Sequence, residues 1–235
     1  MSALRWEGCV NVRDVGGIVR ADNIRQLSDE GWQALVDHGV RRVIDLRFPE
    51  ELAEDVPREV PVEVVHVSLL GDSRSPEWIA EFSGAMDRAQ TAEEYLVWSY
   101  LEFLERYRER FARVFEAIAH APAGPVVVHC VGGKDRTGLV VALALRLAGV
   151  PLDEVAADYA LTEANLAPGH DAWVEAAPDE AERRRRLLLL PAPAHVMKEV
   201  LEEVERRHGD AAGYLRVCGV SDDDLERVRE RLLAR

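Results

Sequence analysis

Lysine is almost absent from this chain: Lys134 and Lys198 stand against 27 arginines. We read the bias as genomic, and it makes the surroundings of Lys134 worth following. Basic residues are scarce as a class, 29 against 43 acidic, for a net charge of −14. That balance argues against a nucleic-acid backbone or an anionic membrane as the bulk partner. It leaves room for an anionic substrate in a local basic pocket. The three cysteines, Cys9, Cys130 and Cys218, are too few and too scattered for a disulfide framework. A reducing cytoplasm is therefore the expected compartment. No apolar run approaches the length of a membrane span, and the first residues, MSALRWEGCVNVRDVGG, lack a basic-then-apolar leader. The expectation is a chain without stable membrane insertion; leaderless export and the oligomeric state stay open.

What is present suits one globular domain over residues 1–235, with 48% hydrophobic and 31% charged residues. CVNVRDVGGIVR mixes β-branched residues with a Gly-Gly turn and reads as a hairpin. Ser28 to Gly39 reads as a helix with Trp32, Leu35 and Val36 on one face. Short apolar runs at 41–47, 62–70 and 124–130 read as strands, the last buried on both faces. Thr91 and Glu94 form a capping-box pattern. It opens an apolar stripe from Val97 to Ile118, long enough for two helices. Residues 137–148 are apolar nearly all round, which predicts a central helix. Met197, Val200, Leu201 and Val204 mark another helix, and SDDD at 221–224 caps a last one. Strands alternating with helices predict an α/β fold: a mostly parallel sheet with helices on both faces. Residues 163–193 stand apart, with four prolines and the block RRRRLLLL. They read either as a helix passing from solvent into the core or as a lid over a site.

The informative stretch is HCVGGKDRTG, His129 to Gly138. A thiol, Cys130, ends a buried parallel strand, where α/β sheets place their ligands. The loop Val131, Gly132, Gly133, Lys134, Asp135 and Arg136 then leads into a helix. Its backbone N–H groups, with the helix N-terminus, make a nest for an anion. The two glycines let the loop curl. Arg136 can fork two phosphate oxygens, and the same positive field favours thiolate over thiol at Cys130. A nucleophile with an anion cradle is the chemistry this pattern serves. Competing readings fail on spacing. An NTPase phosphate loop needs Ser or Thr after its Lys, and here Asp135 follows. Zinc needs separated ligand pairs, so no metal and no organic cofactor is expected. Cys9 and Cys218 sit in apolar contexts and read as structural.

At these residues the chain resembles the atypical bacterial and fungal cysteine-dependent protein-tyrosine phosphatases. The Cys-x5-Arg-Thr loop carries the resemblance. NVRDVGG (11–17), VIDLRFPEE (43–51), DYALTEAN (158–165) and GVSDDDLERVRERLL (219–233) extend it in order. The resemblance implies a phosphatase fold, a helical lid near 163–193 and a phosphorylated protein or phosphoinositide as partner. It implies Cys130 as nucleophile through a phosphocysteine, and Arg136 with the amides of 131–136 as binders of the equatorial oxygens. Thr137 would donate to the sulfur, and His129 would orient the loop backbone. Lys134 would add a charge at the pocket mouth, which in related phosphatases accompanies phosphoinositide or dual substrate use. Asp135 is a family mark that also reads as a loop-stabilising carboxylate. The chain contains no W-P-D tripeptide. The implied general acid is Asp45 at a strand end, with Asp72 and Asp135 as rivals. Asp45 also reads as a structural partner of Arg47 or Arg13. Arg13 and Asp14 read as braces of the Cys loop. An idle phosphate-binding module and a rhodanese-like sulfurtransferase are the alternative functions.

Overall fold

The computed structural model describes residues 2–233. Its sheet has six strands: β1 (Ser2–Ala3), β2 (Arg13–Asp14), β3 (Ile18–Ala21), β4 (Arg42–Asp45), β5 (Glu63–His66) and β6 (Val126–His129). The spatial order is β1-β2-β3-β6-β4-β5. Strands β3, β6, β4 and β5 run parallel, and the β1-β2-β3 edge is antiparallel. Gly16 and Gly17 turn the β2–β3 hairpin at positive φ, as that turn requires. Strand β6 lies between two parallel neighbours, so its wholly apolar run is buried on both faces.

Side chains alternate across the sheet, as the strand period of two demands. Ile18, Ile44, Val126 and Val128 join the large cluster on one face. Val19, Val43 and Val127 join Trp6, Trp32 and Leu35 on the other. The second face is covered by α1 (Asp29–Asp37), capped by Ser28, whose hydroxyl accepts from Gly31 N. The first face is covered by the remaining long helices. The apolar stripe divides at Tyr107 into α4 (Ala92–Arg106) and α5 (Arg108–Ala119). The central helix is α6 (Asp135–Leu147), buried at every position from Thr137 to Leu145. Around it stand α9 (Ala194–His208), α10 (Ala211–Cys218) and α11 (Asp222–Leu233).

Sequence patterning did not reveal α2 (Pro49–Leu52), α3 (Pro76–Arg88) or α10. The predicted strand over 62–70 is shorter than expected, because it is the exposed sheet edge and leaves the ladder after His66. Residues 163–193 are not a separate insert. Their first part completes α7 (Leu152–Glu175), which carries Pro168 inside it; α8 (Glu180–Leu189) follows. Helix α8 has no buried residue. Among the described residues no helix is long and apolar enough to cross a membrane.

Candidate active site

Register aligns the carboxyl ends of three parallel strands. Ala21 of β3 and Asp45 of β4 both pair with His129 of β6. The loop from Cys130 therefore starts at the middle of that edge and closes at the N-terminus of α6. Cys130 is a free thiol, 3% exposed. His129 is fully buried, and its Nδ1 lies 3.1 Å from the Cys130 carbonyl.

The loop is held from outside by its carbonyls. Val131 O accepts from Asn23 N at 2.8 Å, Gly132 O from Asn11 Nδ2 at 2.9 Å, and Gly133 O from Arg20 Nη2 at 2.7 Å. In a planar trans peptide the next N–H points opposite to the carbonyl. The amides of Gly132, Gly133 and Lys134 are thereby turned toward the inside of the curl. Gly133 takes φ +64°, and a Cβ there would lie 2.4 Å from Ala21 O. Only glycine lets the loop lie this close to β3.

Arg136 is half-buried and forms a two-pronged pair with Glu51 of α2, at 2.5 and 3.0 Å. Its Cζ stands 5.5 Å from the Phe48 ring centroid. Glu51 also accepts from Phe48 N at 2.7 Å, which closes the first turn of α2. Burial would lower the Arg136 pKa, but the Cys130 sulfur and the Glu51 carboxylate outweigh it and raise it. Glu51 shows the reciprocal effect: burial opposes its charge, and Arg136 holds its carboxyl below the usual range. Sequence reading missed Glu51. The signal was an acid three residues after Phe48, beside the DLR strand end.

Several expected roles meet a different geometry. Asp45 is 2% exposed, and Arg47 grips it through Nε at 3.0 Å and Nη2 at 2.8 Å. His129 Nε2 lies 3.3 Å from Asp45 Oδ2 without the alignment of a hydrogen bond. Burial pushes the Asp45 pKa up, yet His129 and Arg47 overcome it and hold the carboxyl well below the usual range. The buried carboxylate has both oxygens engaged by Arg47, the structural partnership the sequence also allowed, so the expectation that Asp45 donates a proton does not carry over. Asp72 sits on an exposed loop, paired with Arg110 at 2.7 Å. Asp135 is half-exposed within the loop. Its Oδ1 accepts from the Tyr100 hydroxyl, while Oδ2 accepts no hydrogen bond among the described residues.

Lys134 is not a free charge at a pocket mouth. It is 5% exposed, and its Nζ donates to the carbonyls of Leu189 and, at 3.2 Å, Pro191. A cation at a helix C-terminus meets the negative end of the dipole, and here that helix is α8. Thr137 is fully buried, but its hydroxyl has no hydrogen-bond partner among the described residues; the expected bond to the Cys130 sulfur is not among its contacts. The 163–193 segment meets the loop through this lysine and through Leu166, whose Cδ1 would touch a Cβ on Gly132 at 3.5 Å. Arg13 does stand behind the loop, bonded to Asp158 Oδ1 at 2.7 Å. Asp14 instead pairs with His38 at 2.9 Å and caps the amides of Gly16 and Gly17.

Proteins similar to this chain are phosphatases. The chain is 28% identical over 228 residues to a tyrosine-protein phosphatase of Nostoc commune, covering 91% of this chain and 73% of that protein. It is also 28% identical to the triple specificity protein phosphatase PtpB of Mycobacterium tuberculosis, covering 99% of this chain and 100% of that protein. The tyrosine phosphatase family matches from residue 4 to residue 234. With nearly the whole chain inside that match, this protein belongs to the tyrosine phosphatase family.

Proposed function

We propose that this enzyme hydrolyses phosphotyrosine monoesters in two displacements at phosphorus, through a phosphocysteine on Cys130. The observation that carries the reading is the set of three consecutive loop carbonyls fixed from behind, with Cys130 before them and Arg136 after. An inward ring of amides and a guanidinium suits the equatorial oxygens of a phosphoryl group in flight.

In the first step the Cys130 thiolate attacks phosphorus and the ester P–O bond breaks. The leaving oxygen takes a proton from Asp135, the one carboxyl of the three weighed that stands in the loop with an oxygen unengaged. In the second step water attacks phosphorus, the P–S bond breaks, and Asp135 recovers the proton from that water. Arg136, held in place by Glu51, gives its remaining N–H groups to the phosphoryl oxygens. Thr137, with a hydroxyl free to turn, donates to the departing sulfur. No step uses a metal or an organic cofactor.

PtpB carries triple specificity in its name. For this chain, activity on phosphoserine, phosphothreonine or phosphoinositides is a separate matter. The sequence argument for phosphoinositides leaned on Lys134, whose ammonium is engaged with the 189–191 carbonyls. Phosphotyrosine therefore stands as the substrate we assign, in an enzyme we place in the cytoplasm.

The deciding experiment is a rapid acid quench during turnover of nitrophenyl phosphate, with mass spectrometry of the Cys130 peptide. A phosphate adduct on Cys130 is expected, and Cys130→Ser should lose turnover while still binding inorganic phosphate. An active Cys130→Ser protein, or steady turnover with no adduct and no burst, would overturn the covalent route. Thiocyanate formation from cyanide would instead favour a sulfurtransferase.

A further inference from the structure

Behind the loop lies a buried polar cluster that the reaction above does not use. Asp158 on α7 holds two arginines: Arg13 through Oδ1 at 2.7 Å and Arg20 through Oδ2 at 2.6 Å. All three are at most 2% exposed. Arg13 also donates to Asn11 Oδ1 at 2.6 Å, and Asn165 Nδ2 donates to the same oxygen at 3.1 Å. Because two donors meet at Oδ1, the other end of the Asn11 amide is fixed as Nδ2, facing Gly132 O. Asp22 pins the main chain of Asn11 by accepting from Val10 N and Asn11 N at 3.0 and 3.1 Å. Thr162 Oγ1 accepts from Arg13 at 3.1 Å and from Arg20 at 3.3 Å.

Two guanidinium groups share one buried carboxylate, which serves stability poorly. Burial and then the charge of Arg20 bring the Arg13 pKa down to about 10, against the pull of Asp158. What the cluster does achieve is the grip on two loop carbonyls. We propose that Asn11 and Arg20 are positioning residues for phosphate binding: held by Arg13 and by Asp158 respectively, they fix the Gly132 and Gly133 carbonyls outward and so aim the Gly133 and Lys134 amides at the substrate phosphate. The inference rests on the reading of the loop as a phosphate site. Its consequence is specific. Weakening either grip lets a peptide rotate, and the loss falls on phosphate affinity before it falls on the chemistry of Cys130.

The test measures inorganic phosphate affinity by protection of Cys130 from iodoacetamide, alongside kcat and KM for nitrophenyl phosphate. Asn11→Asp keeps Oδ1 for Arg13 and Asn165 but turns an oxygen toward Gly132 O. Arg20→Lys keeps the charge and cannot reach both Asp158 and Gly133 O. Asn11→Leu removes the same donor to Gly132 O without adding a charge. We expect Asn11→Asp and Arg20→Lys each to weaken phosphate binding by about tenfold, the worth of one charge-assisted hydrogen bond. KM should rise in step and kcat should change less, and Asn11→Leu should weaken phosphate binding alongside Asn11→Asp. Should Arg20→Lys fail to fold, Asn11→Asp decides alone, since it adds a carboxylate where arginine is in excess. A folded Asn11→Asp protein that binds phosphate like the wild type overturns the positioning role. An Asn11→Leu protein that binds phosphate normally while Asn11→Asp does not also overturns it, because charge alone would then explain the effect. Wild-type enzyme that phosphate does not protect at all refutes the phosphate-site reading itself, a different result from either.

Discussion

Replacing Asp45 by Asn separates a structural carboxylate from a proton donor. The side chain is buried, accepts Arg47 Nε and Nη2, and also accepts Arg47 N at 3.1 Å. Removing one partner of a buried pair typically costs about 3–5 kcal/mol, since the other charge is left uncompensated. Arg47 keeps Asp55, at 2.9 and 2.7 Å, and the Asp55 side chain is 15% exposed. The remaining pair is partly solvated, which puts the expected loss near the low end, about 3 kcal/mol. For a chain of this size that is a fall in Tm of about 6–12 °C. The sign of the pH dependence follows from a folded-state pKa held below the unfolded value. Asp45 stabilises fully above the unfolded carboxyl pKa of about 3.9 and loses the contribution only as pH falls through the folded value. The Tm gap between wild type and variant should therefore stay constant from neutral pH down to about 5. Below the melting range, turnover of nitrophenyl phosphate and of a phosphotyrosine peptide should fall by the same factor. An unchanged Tm, with a loss of about 10²-fold or more confined to the phosphotyrosine peptide, would refute the reasoning and return Asp45 to the role of acid.

Asp135→Asn should show the opposite signature, a loss much larger on phosphotyrosine than on nitrophenyl phosphate; equal losses would leave Asp135 as a brace for Tyr100. Glu51→Gln keeps an acceptor for Phe48 N but removes the anionic partner of Arg136, so kcat/KM should drop about tenfold. Because the Glu51 pKa is lowered, its pair with Arg136 is complete above about pH 4.3 and fades as pH falls further; the acid limb of the wild-type profile should carry that fade and the Gln variant should lack it. Gly133→Ala forces a Cβ onto Ala21 O at positive φ and should abolish phosphate protection of Cys130 while lowering Tm; unchanged protection would show that the loop is not seated on β3. Lys134→Met frees the end of α8, which has no buried residue, so limited proteolysis at the 176–179 turn should quicken several-fold at nearly constant Tm; equal rates would show that the other contacts of α8, Arg185–Asp87 at 3.0 Å and Arg186–Trp173 O at 2.6 Å among them, hold the helix without Lys134.

What the sequence made legible was local. Short apolar runs and a Gly-Gly turn announced β3, β4 and β6, because strands buried on both faces are rich in β-branched residues. The loop from Cys130 to Thr137 was legible because every residue in it has a chemical reason to be adjacent to the next. Helices α3 and α10 were not. Helix α3 buries only Phe82 and Met86, and α10 lasts eight residues, too short for a period to stand out. The identity of the strand ends was visible, but not which way their side chains turn. Asp45 was placed at the right edge of the sheet, and parallel-sheet logic could not tell that Arg47, two residues on, folds back over it.

The same limit explains why the supports of the loop went unread. A carbonyl has no letter in the sequence, so its need for a donor leaves no local mark. Gly132 O is served by Asn11, 121 residues away, and Gly133 O by Arg20, 113 away. Asp158, which holds Arg13 and Arg20, comes from a third element, 145 residues from Arg13. Reading the pattern backward is nonetheless possible. Two arginines on a hairpin, spaced seven apart, pair across β2 and β3 and present their side chains on one face. Cross-strand neighbours of like charge repel unless an acid is brought to them. A buried acid was therefore required from elsewhere in the chain, and DYALTEAN, read only as a family mark, contained it. The arginine pair was the signal for the brace, and the brace explains why a loop of glycines can hold its amides in one direction.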